Sequence, residues 1–177
     1  MNTLTPLTPR TAPAAVAPTL EAVSRKFGML PNVIATMAHA PAALNGYLAL
    51  SETLAGGRLD GRQREIVALA VAQANACDYC LAAHTLMGRG AGLSEGDIQL
   101  ARRGSAASEL DAAIARYARD LAQHRGRLSP GELAALRRDG LDDGLLVEIV
   151  AHVALNQLTN FLNHVAATEV DFPPVGV

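Results

Sequence analysis

Residues 60–84 read DGRQREIVALAVAQANACDYCLAAH and contain the chain's two cysteines. Asp60 is an N-cap candidate, because Gln63 stands three residues on in a capping-box relation. The helix so begun runs from Gly61 to about Ala74, with Ile66, Leu69, Ala70 and Gln73 or their neighbours along one buried stripe. Asn75 breaks it and is read as the cap of a second helix, with Asp78 completing another box. Outward from this pair the pattern stays helical. Leu20, Val23 and Phe27 recur at helical spacing until Gly28 and Pro31, and further helices follow over residues 32–39 and 41–54. Towards the C-terminus, Ser94 with Asp97 and Ser129 with Glu132 mark two more starts, and long patterns run over residues 108–124 and 142–164. Residues 170–174 are expected to be extended. No window of period-two alternation occurs, so the chain is expected to be all-α: an extended, proline-broken arm over residues 1–18, then one helical domain over 19–177.

Composition narrows the function. Half of the 177 residues are apolar and only 18% are charged, which excludes a disordered chain. Aromatic residues make up 3%, so the core must be built from small aliphatic side chains that let helices approach closely. A net charge of −2 gives no electrostatic support to nucleic-acid binding. No uninterrupted apolar run approaches a membrane span, and the first residues lack a basic and then apolar leader, so the cytoplasm is the expected location. In such a reducing compartment, Cys77 and Cys80 suit catalysis or metal binding better than a structural staple.

Two internal echoes are present. Residues 93–104 are echoed by 128–140, and Glu65-Ile66-Val67-Ala68 returns as Glu148-Ile149-Val150-Ala151. In the second register Asn160 stands opposite Cys77 and Asn163 opposite Cys80, which suggests two related helical hairpins, only the first with sulfur chemistry.

Glu65, Cys77, Cys80 and His84 form the candidate site. On a helix turning ~100° per residue, positions 77, 80 and 84 fall within ~60° of arc, so two thiols and an imidazole share a face. Cys77 lies near the helix start, where free N–H groups favour a thiolate, and it is placed to attack a sulfenic acid on Cys80. His84 is a partner for the thiol proton, and Glu65 on the preceding helix is a candidate to orient it. A zinc site would need a fourth ligand, and a thioredoxin-like domain would need a βαβ pattern; neither is present in the sequence. Neither a metal nor an organic cofactor is expected. His152, four residues after Glu148, is expected to hydrogen-bond that carboxylate in a structural network with Asn156.

The spacing from Glu65 through Cys77 and Cys80 to His84 resembles the alkylhydroperoxidase D-like (AhpD-like) branch of the carboxymuconolactone decarboxylase superfamily. Leu30-Pro31-Asn32 and the run from Asn160 to Pro173 extend the likeness. The resemblance implies an all-α fold, a trimer or hexamer, and a thiol peroxidase or disulfide reductase acting on a hydroperoxide. By the same resemblance Cys80 is the attacking thiolate, Cys77 the resolving thiol, Glu65 with His84 a proton relay, and the reductant a dithiol carrier such as a lipoylated protein. One position departs: the best-studied family members carry His just before the second cysteine, where this chain, like many other relatives, has Tyr79, here assigned to the substrate pocket. Two rival readings keep the fold. One is a cofactor-free lyase acting on a lactone acid, which has no use for the cysteine pair. The other is a non-enzymatic, redox-responsive oligomer.

Overall fold

The computed structural model describes residues 2–176, so the two outermost positions of the predicted arm and domain lie outside the described residues. Nine helices occur among them and no strand: α1 (Ala17–Phe27), α2 (Asn32–Met37), α3 (Pro41–Ala55), α4 (Gly61–Ala74), α5 (Asp78–Gly90), α6 (Glu95–Arg102), α7 (Glu109–His124), α8 (Pro130–Arg138) and α9 (Asp143–Ala166). The all-α expectation is met.

At the centre is α4, buried on every side from Ile66 to Ala72. A helix apolar all round must be covered all round, and α5, α6, α7 and α9 pack against it. Capping chemistry fixes the ends. Asp60 with Gln63, Ser94 with Asp97 and Ser129 with Glu132 each make the full reciprocal box, satisfying two otherwise orphaned N–H groups per helix. Of the long patterns, α9 is the helix that reaches most of the others, touching α2, α3, α4, α5 and α7. It is long and apolar enough on average to cross a membrane, yet half of that stretch is buried within the fold.

Several expectations are corrected. The second sequence echo is not a hairpin: Glu148 to Asn163 lies within the unbroken helix α9, because nothing there supplies the chain reversal found after α4. The arm is not simply extended. Thr8 and Thr11 close a turn, and α1 begins at Ala17, since Pro18 is tolerated in a first helical turn. The arm is also tied down, with Thr3 N–H on Ala166 O at 2.7 Å, Leu7 N–H on Ala35 O at 3.1 Å and His39 Nε2 on Thr5 O at 2.9 Å. Phe27 is exposed instead of completing the α1 stripe.

Candidate functional site

The site forms where α4 breaks and α5 begins. Asn75 does not cap α5. It is the last residue of α4's turn, followed by Ala76 in the left-handed region (φ 49°), with Cys77 N–H on Ala72 O and Ala76 N–H on Gln73 O. These two bonds make a Schellman closure. The cap of α5 is Cys77 itself, whose sulfur accepts from Cys80 N–H at 3.4 Å. Asn75 is thereby released for tertiary work: its Nδ2 donates to Gln157 and to Asn160 Oδ1 at 2.9 Å, and its carbonyl accepts from His164 Nε2 at 3.0 Å.

Both cysteines are free and buried. The Cys80 sulfur accepts from two carboxamides of α9, Asn160 Nδ2 at 3.0 Å and Asn163 Nδ2 at 3.2 Å; Asn163 also reaches Cys77 Sγ at 3.9 Å. Glu65 and His84 meet across α4 and α5, with Nδ1 donating to Oε2 at 2.8 Å. The structure thus brings Cys77 to Cys80 and Glu65 to His84. Two residues that sequence reading passed over also face the site. Tyr47 of α3 has its phenol pushed up to about 12 by lost hydration, with the charges of Cys80 and Glu65 adding. His164 of α9 lines the same pocket as Cys77.

Within the pair, the Cys77 thiol is held down at about 7, chiefly by a hydrogen bond from the Cys80 thiol, with His164 and Asn163 contributing. The Cys80 thiol is pushed up, by giving that bond and by burial. These directions make Cys77 the more acidic thiol of the pair, whereas the resemblance implied a thiolate at Cys80 and both amide donors lie on Cys80. Cys77 also lines a pocket of about 220 Å³, together with Asp78, Tyr79, Asn163, His164 and Thr168.

Tyr79 lines that pocket, and its hydroxyl is engaged by the backbone of α2. The oxygen accepts from Val33 N–H at 3.2 Å, and the ring meets Phe172 edge-on at 5.5 Å. Burial, with the nearby Asp171 carboxylate, keeps the phenol protonated far above its ordinary range. Asp171 Oδ2 accepts from Asn32 N–H at 2.7 Å, and Glu169 O from Asn32 Nδ2 at 3.0 Å. The two outlying motifs, Leu30-Pro31-Asn32 and Thr168 to Pro173, are therefore clasped together beside Tyr79.

With this geometry in place, the comparisons with known proteins are specific. The carboxymuconolactone decarboxylase family profile matches residues 41–124, which hold Glu65, both cysteines and His84. An alkyl hydroperoxide reductase of Mycobacterium tuberculosis is 36% identical over 96 residues, 54% of this chain and 28% of that protein. A peroxidase-related protein of Ralstonia eutropha, solved as an alkylhydroperoxidase AhpD core, superposes with a TM-score of 0.85 at 22% identity, covering 96% of this chain and 92% of the other.

Residues 41–124 thus carry the carboxymuconolactone decarboxylase family pattern, on a chain that shares the fold of the AhpD core. Its fold is shared more widely than any one activity: the debrominase Bmp8 superposes with a TM-score of 0.79 at 19% identity, over 96% of this chain and 92% of that one. The chain spans less than a third of the M. tuberculosis relative. Asn160 and Asn163 lie outside the stretch matched by the family profile, and the sequence signal that pointed to them was their register against the two cysteines. Among the described residues no group of three His, Cys, Asp or Glu side chains is placed to hold a metal ion.

The second glutamate differs from the first. Glu148 does not bond His152; its Oε1 accepts from Arg58 N–H at 2.7 Å and Leu59 N–H at 2.9 Å, closing the loop before α4. A side chain on Gly57 would run into that carboxylate. His152 is buried with Nε2 unpartnered, while Asn156 Nδ2 donates to its carbonyl at 2.8 Å.

Proposed function

We propose that this protein is a thiol-dependent hydroperoxidase that cycles Cys77 and Cys80 between dithiol and disulfide. The observation that carries the reading is a pair of free thiols one helical turn apart, together with a hydrogen-bonded Glu65–His84 pair on the same two helices. The proton of Cys80 passes to the Cys77 thiolate, and the Cys80 sulfur attacks the distal oxygen of a hydroperoxide. The O–O bond breaks, giving a Cys80 sulfenic acid and an alkoxide, which His84, held by Glu65, protonates to the alcohol. The Cys77 thiol then displaces the hydroxyl as water and closes the disulfide. Two electrons from a dithiol, such as a lipoyl group on a carrier protein, restore the pair. Cys77 lines the pocket and is the sulfur such a reductant reaches. A reducing cytoplasm suits this cycle, and assembly from several copies of the chain goes with it.

The test is a thiol count by mass spectrometry before and after one equivalent of an organic hydroperoxide. Both thiols should vanish together into one intramolecular disulfide, and Cys80→Ser should abolish turnover with a dithiol reductant. Retention of both thiols, or unchanged turnover in the variant, would overturn the reading. A lyase has no need of the pair, so its activity would survive that substitution.

A further inference from the structure

The amide side chains around Cys80 are unusual for their direction. Asn160 is fully buried and Asn163 nearly so, yet neither spends its Nδ2 on the backbone of its own helix; both point it at one sulfur. For Asn160 the orientation is enforced. Asn75 Nδ2 occupies its Oδ1 at 2.9 Å, so the only end left for Cys80 is the donor. For Asn163 the alternative orientation would set an oxygen lone pair against the sulfur and the NH2 where Oδ1 now finds no partner. A neutral thiol is a weak acceptor and rewards two buried donors little, whereas a sulfur anion rewards them strongly.

We propose that Asn160 and Asn163 are catalytic residues of the pair, whose carboxamides take up the negative charge of Cys80 as thiolate and as the sulfenate that follows oxygen transfer. The role deepens the peroxidase reading and rests on it for the sulfenate, though the thiolate part stands by itself. It resolves a difficulty of the site. Burial and the neighbouring Cys77 both oppose charge on Cys80, and Cys77 is the more acidic of the two thiols. Attack by Cys80 requires charge on its own sulfur, and the two amides, with the Thr159 hydroxyl beside them, are the groups that meet it there. Asn163, within reach of both sulfurs, follows the charge from one to the other. Asn75 is a positioning residue that acts through Asn160. The titratable groups nearest the pair include Tyr47 on α3, Glu65 on α4, Tyr79 and His84 on α5, and His164 on α9, with Cys77 at the start of α5.

The experiment uses the full chain with Cys77→Ser, so that Cys80 is the one remaining thiol, and follows its alkylation by iodoacetamide against pH using mass spectrometry. Asn163→Ala should move the midpoint upward by about one pH unit, an approximately tenfold slower alkylation near neutrality. Asn160→Leu, close to asparagine in shape, removes the donor without adding a charge, and should slow alkylation at least as much. Circular dichroism and thermal melting establish that each variant is folded, and if Asn163→Ala is not, Asn163→Leu replaces it. A pH profile unmoved in folded variants of both positions would overturn the proposal. If the profiles move but the otherwise unsubstituted protein turns over no hydroperoxide, the amide role stands and the peroxidase reading falls. If turnover is present and the profiles are unmoved, the reverse holds.

Discussion

His152 shows how much one buried side chain can say about pH. Its ring is buried on α9 with Nε2 unpartnered, and burial lowers its basicity below the ordinary histidine value; Glu148 opposes this and Arg64 adds to it. The unfolded chain therefore binds a proton near pH 6.5 that the folded chain refuses. Stability rises with pH wherever the unfolded state holds more protons, so this residue withdraws stability as pH falls from about 6.5 through the lower folded value. His152→Leu, similar in size and with nothing to protonate, should flatten that part of the curve. Urea midpoints at pH 7.5 and pH 5.5 check it: the fall on acidification should be smaller in the variant, and an equal fall would show that other groups cause it. The same residue marks a limit of spacing arguments. Glu148 and His152 are four apart on one helix, which permits a hydrogen bond, but two free N–H groups at Arg58 and Leu59 offer the carboxylate a better partner from elsewhere in the fold.

At the scale of elements, the break between α4 and α5 places the cysteines, and it is a Schellman closure without its usual glycine. Ala76 holds the left-handed position at φ 49°, where a Cβ costs about 1–2 kcal/mol. Ala76→Gly should recover part of this, about 0.5–1 kcal/mol after glycine's greater chain entropy, visible as a rise in Tm of a few degrees. Ala76→Val, β-branched in the same conformation, should lower Tm, and a drop for the glycine variant would contradict the strain argument. The missing glycine also explains what the sequence hid. Helix starts were legible because Asp60, Ser94 and Ser129 announce them with capping boxes, and each does cap its helix, as Ser108 and Asp142 also do at the starts of the two long patterns. The end of α4 carried no such punctuation, so Asn75 was read as a start when it is a tertiary donor. In the same way the face shared by positions 77, 80 and 84 was readable from helical period. The contacts from Tyr47, Asn160 and Asn163 depend on where α3 and α9 pack, and local pattern does not encode that.

For the whole molecule, α9 has two opposed characters. Its inner face carries Ile149, His152, Val153, Asn156, Asn160 and Asn163, buried against the core and the cysteines. Its outer face carries Val147, Val150, Ala154, Leu158, Phe161 and Val165, a continuous apolar stripe at steps of three and four, with Val147 71%, Phe161 58% and Val165 68% exposed. At 1.5 Å per residue that stripe is about 27 Å long. Leu50 of α3 and Leu86 of α5 are exposed as well. Contiguous apolar surface of this extent is uncommon on a monomer, and a second copy of the chain is the partner expected on the family resemblance. Light scattering after size exclusion should give a mass of several chains for the unsubstituted protein. Phe161→Glu, which puts a charge in the middle of the stripe and touches nothing in the core, should shift it towards the monomer with helix content unchanged. Equal masses for both would remove the stripe from any interface. Asn160 and Asn163 belong to the same protomer as the cysteines they face, so the dissociated variant should keep the pH profile of thiol alkylation; a profile that moves with the mass would mean that the neighbouring copy completes the site.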